Sequence, residues 1–156
     1  MKNVSSDIIF THVHPAWKEQ ADYIFRCKIP TECEPDEWEQ MWGKVVSENT
    51  FIVCCIPFFL YGLSIGDKIV VSDAKDFEVV EKSENTTIRI WTGKTNTDLV
   101  EEFMSKVLRI CDGAERHSDQ LVALYVTRLR YPKMLGLLDS EAARAGVLYE
   151  IAENRF

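Results

Sequence analysis

A chain of 156 residues, 46% of them hydrophobic and 28% charged, suits one domain or two small subdomains sharing an interface. That length buries roughly two-thirds of the unfolded surface, so no disulfide or metal staple is required. The net charge of -7, from 25 acidic against 18 basic residues, argues against a nucleic-acid surface and permits a basic protein partner.

Five cysteines, Cys27, Cys33, Cys54, Cys55 and Cys111, make an odd count with no CxxC pair. Adjacent Cys54 and Cys55 would point to opposite faces of a strand, which is poor geometry for a shared disulfide. A reduced, intracellular protein follows. Residues 1–20 lack the apolar run of a signal peptide, and no stretch approaches a membrane span, so a cytoplasmic protein with no membrane contact is expected.

Residues 1–20 form a weakly patterned extension, in which Ile8, Ile9 and Phe10 could add an edge strand. Tyr23–Ile29 alternates, with Tyr23, Phe25, Cys27 and Ile29 on one face, and ends at Pro30. The loop 31–40 carries Glu32, Glu34, Asp36, Glu37 and Glu39 with no basic residue. Trp38–Val46 and Phe51–Cys55 then read as a hairpin around Ser47–Thr50. Lys68–Ser72 and Phe77–Glu81 add two strands. Five short strands with tight turns predict a small barrel-like sheet over residues 21–84.

From Thr86 the period changes. Thr86–Trp91 reads as a strand, and Thr95-Asn96-Thr97-Asp98 as the cap of a helix carrying Leu99, Phe103, Val107, Ile110 and Cys111, closed by Gly113. Ala114–His117 and the apolar Leu121–Val126 form a hairpin through Ser118-Asp119. Pro132 opens a second helix with Met134, Leu135, Leu138, Ala142 and Ala145 inward and Gly146 as its C-terminal cap. Val147–Ala152 is the last strand. Residues 85–153 thus run β-α-β-β-α-β, the order of a ferredoxin-like unit, and the whole is an α+β protein.

Between the halves lies Ile56-Pro57-Phe58-Phe59-Leu60-Tyr61-Gly62-Leu63-Ser64-Ile65-Gly66-Asp67. Eight of these twelve residues are apolar, yet Pro57, Gly62 and Gly66 forbid one continuous helix or central strand. It reads as a packed connector that closes the barrel, seats Phe58 and Phe59 in the core, and turns at Gly66-Asp67 into the next strand. The stretch resembles the hallmark of a bacterial family known as domain of unknown function 4265, approximately I-P-F-F-A-x-G-[IL]-[SA]-x-G-D followed by a strand. Leu60 stands where that family usually has Ala. The resemblance spans about residues 20–152 and implies no activity and no catalytic residue.

The remaining chemistry is sparse. His12 and His14 would share one face of a strand, but no second Cys/His pair accompanies them, so neither a metal nor another cofactor is expected. Cys54 and Cys55 sit in apolar context, which raises a thiol pKa and buries it. His117 lacks a neighbouring nucleophile or oxyanion donor and reads as a surface histidine. Ser64 lacks a G-x-S-x-G context, and Gly62 and Gly66 precede no helix. Arg128, Arg130 and Lys133 beside Tyr131 form a solvated helix start.

The best functional candidate is the acidic loop, where Glu32, Glu34, Asp36, Glu37 and Glu39 surround Trp38 and could clamp a basic partner. The expectation is a non-enzymatic binding protein, an immunity protein that neutralises a basic toxin domain by direct binding. The alternative is a ligand-sensing or regulatory module.

Overall fold

The computed structural model describes residues 6–32, 34–93 and 97–153. Strands β1 (Ile8–Phe10), β2 (Tyr23–Lys28), β3 (Glu37–Ser47), β4 (Thr50–Val53), β5 (Lys68–Val71) and β6 (Phe77–Glu81) make one sheet. Strands β7 (Asn85–Trp91), β8 (Gly113–Arg116), β9 (Leu121–Thr127) and β10 (Leu148–Ile151) make a second, with helices α1 (Asp98–Ile110) and α2 (Tyr131–Ala145) inserted after β7 and β9. The protein is α+β.

The first sheet runs β1-β3-β4-β5-β6, and the long β3 also carries β2, antiparallel, beside its first half. No ladder joins β6 back to β2, so the expected barrel is open. Residues 28 and 75 meet across the gap, where the Lys28 N–H donates to the Lys75 carbonyl (3.1 Å). The next N–H, of Ile29, goes to the Glu37 carbonyl at 2.9 Å, so β2 leaves the seam before a ladder can form. Pro30 has no N–H to continue one.

The second sheet, ordered β10-β7-β9-β8 and antiparallel throughout, is covered on both faces. Period-2 alternation sorts its residues. Ile88, Ile90, Val122, Leu124 and Val126 pack with Phe103, Val107, Met134 and Leu138 of the helices. Asn85, Thr87, Arg89, Ala123 and Glu115 lie on the other side, against the first sheet and residues 56–66. This second burial explains why β7 is buried at nearly every position although half its residues are polar.

Helix α1 begins at Thr97, whose Oγ1 accepts from the Val100 N–H (3.3 Å); Thr95 and Asn96 of the expected cap lie outside the described residues. Its C-cap is Cys111, and Gly113 opens β8 instead of ending the helix. Helix α2 has Pro132 in its first turn and ends on Gly146, left-handed at φ 73°, as expected.

Candidate functional site

The twelve-residue connector lies between the two sheets, and buried side chains bind many of its backbone groups. Four of its N–H groups go to two carboxylates. Glu39, fully buried on β3, accepts from Phe58 (2.8 Å), Phe59 (2.9 Å) and Leu60 (3.1 Å). Glu115, on β8, accepts from Ile56 (2.5 Å) and from Ala16 (3.2 Å). Successive N–H groups converging on one anion form a nest, and here the anion is the protein's own side chain.

The carbonyls of the connector turn to β7 and its approach. Arg89 Nη2 donates to the Leu60 carbonyl, Thr87 Oγ1 to Leu63 (3.1 Å), and both Asn85 Nδ2 and Ser83 Oγ to Ile65 (2.9 Å each). Ser64, buried, bonds the Thr87 hydroxyl at 2.9 Å and fastens the connector to β7. Asp67 caps the turn as expected, accepting from the N–H groups of Ser64 (2.9 Å) and Ser83 (2.8 Å). Gly62 and Gly66 are left-handed at φ 69° and 87°, and a Cβ on Gly66 would lie 3.0 Å from the Trp17 ring. Pro57 is buried, Phe58 is seated in the core, and Phe59 is half-buried. The connector therefore joins two sheets; it does not close a barrel.

Between the two carboxylates lies His12. Its Nε2 is 2.8 Å from Glu39 and its Nδ1 2.7 Å from Glu115, and its ring stacks on Phe58 with centroids 4.4 Å apart. A ring that faces a carboxylate at each nitrogen donates twice, which makes it an imidazolium. Burial opposes that charge, but the hydrogen bonds to Glu115 and Glu39 push its pKa up to about 12. Burial likewise works against ionised Glu39, yet His12 and the N–H groups of Phe58 and Phe59 hold its carboxyl below the usual range. Cys55 is fully buried beside them, and burial pushes its thiol up, leaving it a neutral packing group. His14, two residues on, is exposed, so the two histidines do not act as a pair. Among the described residues no group of three or more His, Cys, Asp or Glu could hold a metal ion.

His12 also changes the place of the N-terminal residues. Within residues 6–20, the edge strand β1 lies parallel to β3, Trp17 donates its N–H to the Cys54 carbonyl (3.0 Å), and its indole N–H reaches the Tyr125 hydroxyl (3.2 Å). His117 is half-buried, ringed by Phe10, Phe58 and Phe59 at 5.0–5.7 Å, and burial lowers its pKa.

The acidic stretch is not one exposed loop. Glu32 and Glu34 are exposed, Asp36 and Glu37 are half-exposed, and Asp36 pairs with Lys28 at 3.5 Å. From Glu37 onward the chain is β3. Trp38 is only 9% exposed and lies under the Arg26 guanidinium (4.2 Å), while Glu39 faces inward in register with Cys27. Both therefore leave the candidate partner-binding set, because alternation along a strand sends one to the packed outer row and the other to the core. Cys33, within the expected loop, lies outside the described residues.

A second feature opens at the seam of the first sheet. A cleft of about 290 Å³ is lined by Lys28, Ile29, Pro30, Phe59, Leu60, Tyr61, Asp76 and Phe77. Its apolar lining comes from the connector, β6 and the chain after β2, and Lys28 and Asp76 are its charged residues. Tyr61 is 61% exposed; its hydroxyl donates to Glu150 (3.2 Å) and its ring lies 4.9 Å from the Arg89 guanidinium.

The family model for a domain of unknown function, DUF4265, matches residues 39–145, which hold the connector and both carboxylates. The chain belongs to the DUF4265 family. Among solved structures, a crystal structure described as novel, of a hypothetical protein from Neisseria gonorrhoeae, is similar at a TM-score of 0.66 and 14% identity, covering 84% of this chain and 95% of that one. At that identity the likeness shows the fold alone. No curated protein matches the chain. Within the family's span, Glu39 and Glu115 with residues 56–67 form the internal fastening, and no helix among the described residues is long and apolar enough to cross a membrane.

Proposed function

We propose that this member of the DUF4265 family is a non-enzymatic, cytoplasmic binding protein of the immunity type, which neutralises a basic toxin domain by covering it. The carrying observation is the charge that remains at the surface: Glu32 and Glu34 exposed and Asp36 and Glu37 half-exposed at the entry to β3, on a chain of net charge -7. A concentrated acidic edge steers a cationic surface into register and raises its rate of encounter. The titratable cluster supports the same reading, since His12, Glu39 and Glu115 are buried and spend their lone pairs and protons on each other and on backbone groups.

The test is association with the product of the adjacent gene, measured against salt. The double reversal Glu32→Lys/Glu34→Lys should slow association by about tenfold at low ionic strength and flatten its salt dependence. Unchanged kinetics in that variant, or a neighbour with no cationic domain, overturns the reading.

A second reading, a ligand-sensing module, is favoured by the seam cleft, because barrel mouths and sheet openings with apolar floors and a few polar groups are where small molecules dock. For the C-terminal half, a ferredoxin-like arrangement is supported by the element order β7-α1-β8-β9-α2-β10 together with the strand order β10-β7-β9-β8.

A further inference from the structure

We infer that the seam cleft binds a small zwitterion with an apolar body, chemically a free α-amino acid with a large apolar side chain. The inference rests on the ligand-sensing reading and names its ligand class.

The cleft exists because the first sheet fails to close. Residues 28 and 75 approach within one backbone hydrogen bond, and Pro30 then turns the chain away, so β2 and β6 part and leave a gap floored by the connector. Four of the eight lining residues, Ile29, Pro30, Phe59 and Phe77, offer carbon surface. Charges of opposite sign line it, Lys28 from the end of β2 and Asp76 from the turn before β6. A cleft lined by apolar residues together with one cation and one anion complements a molecule carrying a carboxylate, an ammonium and a hydrocarbon or aromatic body. A purely anionic ligand would leave Asp76 facing it, and a purely cationic one would face Lys28.

Size agrees with the chemistry. At about 290 Å³ the cleft lies at the lower bound of small-molecule sites, roughly 300–1,000 Å³, and suits a single amino acid better than a nucleotide. Lys28 is available to exchange partners, because its pair with Asp36 is 3.5 Å long and both side chains are more than a third exposed. Tyr61, largely exposed beside the cleft, supplies a ring edge that can close over a bound side chain.

Binding to the folded protein raises its melting midpoint by mass action, by about 3–6 °C for each tenfold rise in ligand above Kd for a chain of this size. The probes are phenylalanine, tryptophan and leucine, with phenylacetate and phenethylamine as single-charge controls, on wild type, Lys28→Gln and Asp76→Asn. We expect a saturable rise with at least one amino acid, a loss of at least tenfold in its affinity in each variant, and weaker binding of both controls. Both substitutions fall on solvent-accessible side chains, so unliganded midpoints within about 2 °C of wild type will show that the fold is intact. Binding of a control as tight as that of phenylalanine overturns the zwitterion class while leaving the ligand-sensing reading standing. No shift with any probe up to 10 mM overturns the inference while leaving the ligand-sensing reading standing, and a shift that survives in both variants places the site elsewhere and overturns the inference.

Discussion

Replacing Glu39 by Gln keeps the shape of the side chain and removes its charge, which makes it the sharpest test of the internal fastening. Glu39 accepts four hydrogen bonds, from His12 Nε2 and from the N–H groups of Phe58, Phe59 and Leu60. An amide oxygen at the Oε1 position still serves Phe59 and Leu60. The amide nitrogen, however, meets two donors, the Phe58 N–H and the His12 ring. Two charge-assisted bonds are lost at about 1.5–3 kcal/mol each, which agrees with about 3–5 kcal/mol for removing one partner of a buried pair. With about 4 kcal/mol, the melting midpoint should fall by about 8–16 °C and the urea midpoint by roughly 1.5–2 M. Urea titration followed by tryptophan fluorescence and far-ultraviolet circular dichroism reads the shift. Glu37→Gln, two residues earlier and half-exposed, serves as the control and should stay within about 0.5 kcal/mol. A fall of less than about 0.3 M urea in Glu39→Gln, at unchanged slope, would refute the account of the cluster.

The same cluster sets a pH window. Glu39, with its carboxyl held low, contributes stability above its unfolded value of 4.5 and loses it as pH falls through the folded value. His12, pushed up to about 12 from 6.5, contributes fully below 6.5 and progressively less as pH rises from there. Stability should therefore decline between pH 7 and 9 by at most about 1.4 kcal/mol per pH unit, and a flat urea midpoint over that range contradicts an imidazolium at His12. Asp67→Ala leaves the N–H groups of Ser64 and Ser83 without their acceptor and should cost about 2–4 kcal/mol by calorimetry, with a loss under about 0.5 kcal/mol counting against the turn cap. Burial pushes the thiols of Cys27 and Cys54 up to about 12 and about 11, whereas Cys111 is only half-buried. Mass-spectrometric mapping after a thiol reagent at pH 8 should show Cys111 modified well before Cys27, Cys54 and Cys55, and early labelling of Cys55 would contradict its packing role.

Much of the fold was legible because its elements are local. The alternation of Tyr23–Ile29, the apolar run Leu121–Val126, and helix α2 with Pro132 at one end and Gly146 at the other all rest on neighbours a few residues apart. The open seam was not legible, since whether β6 meets β2 depends on the curl of the whole sheet and on one proline. The fastening was hidden for a similar reason: His12 finds its partners 27 and 103 residues away. Glu39 nevertheless carried a signal. It shares strand phase with Met41 and Gly43, both buried, and a carboxylate in phase with core residues calls for an internal counter-charge, even inside an acidic run. Arg89, alternating with Ile88 and Ile90, was legible as facing the opposite side, but not that a second layer buries that side too.

The match to the family begins at Glu39 and runs past Glu115, yet His12 lies upstream of it. A fragment cut at the limits of the recognisable homology would keep both carboxylates and lose the cation between them. The unit that can be traced by similarity is thus smaller than the unit that can fold with its charges balanced. Relatives compared only over the shared region would look complete while lacking a residue on which that region depends.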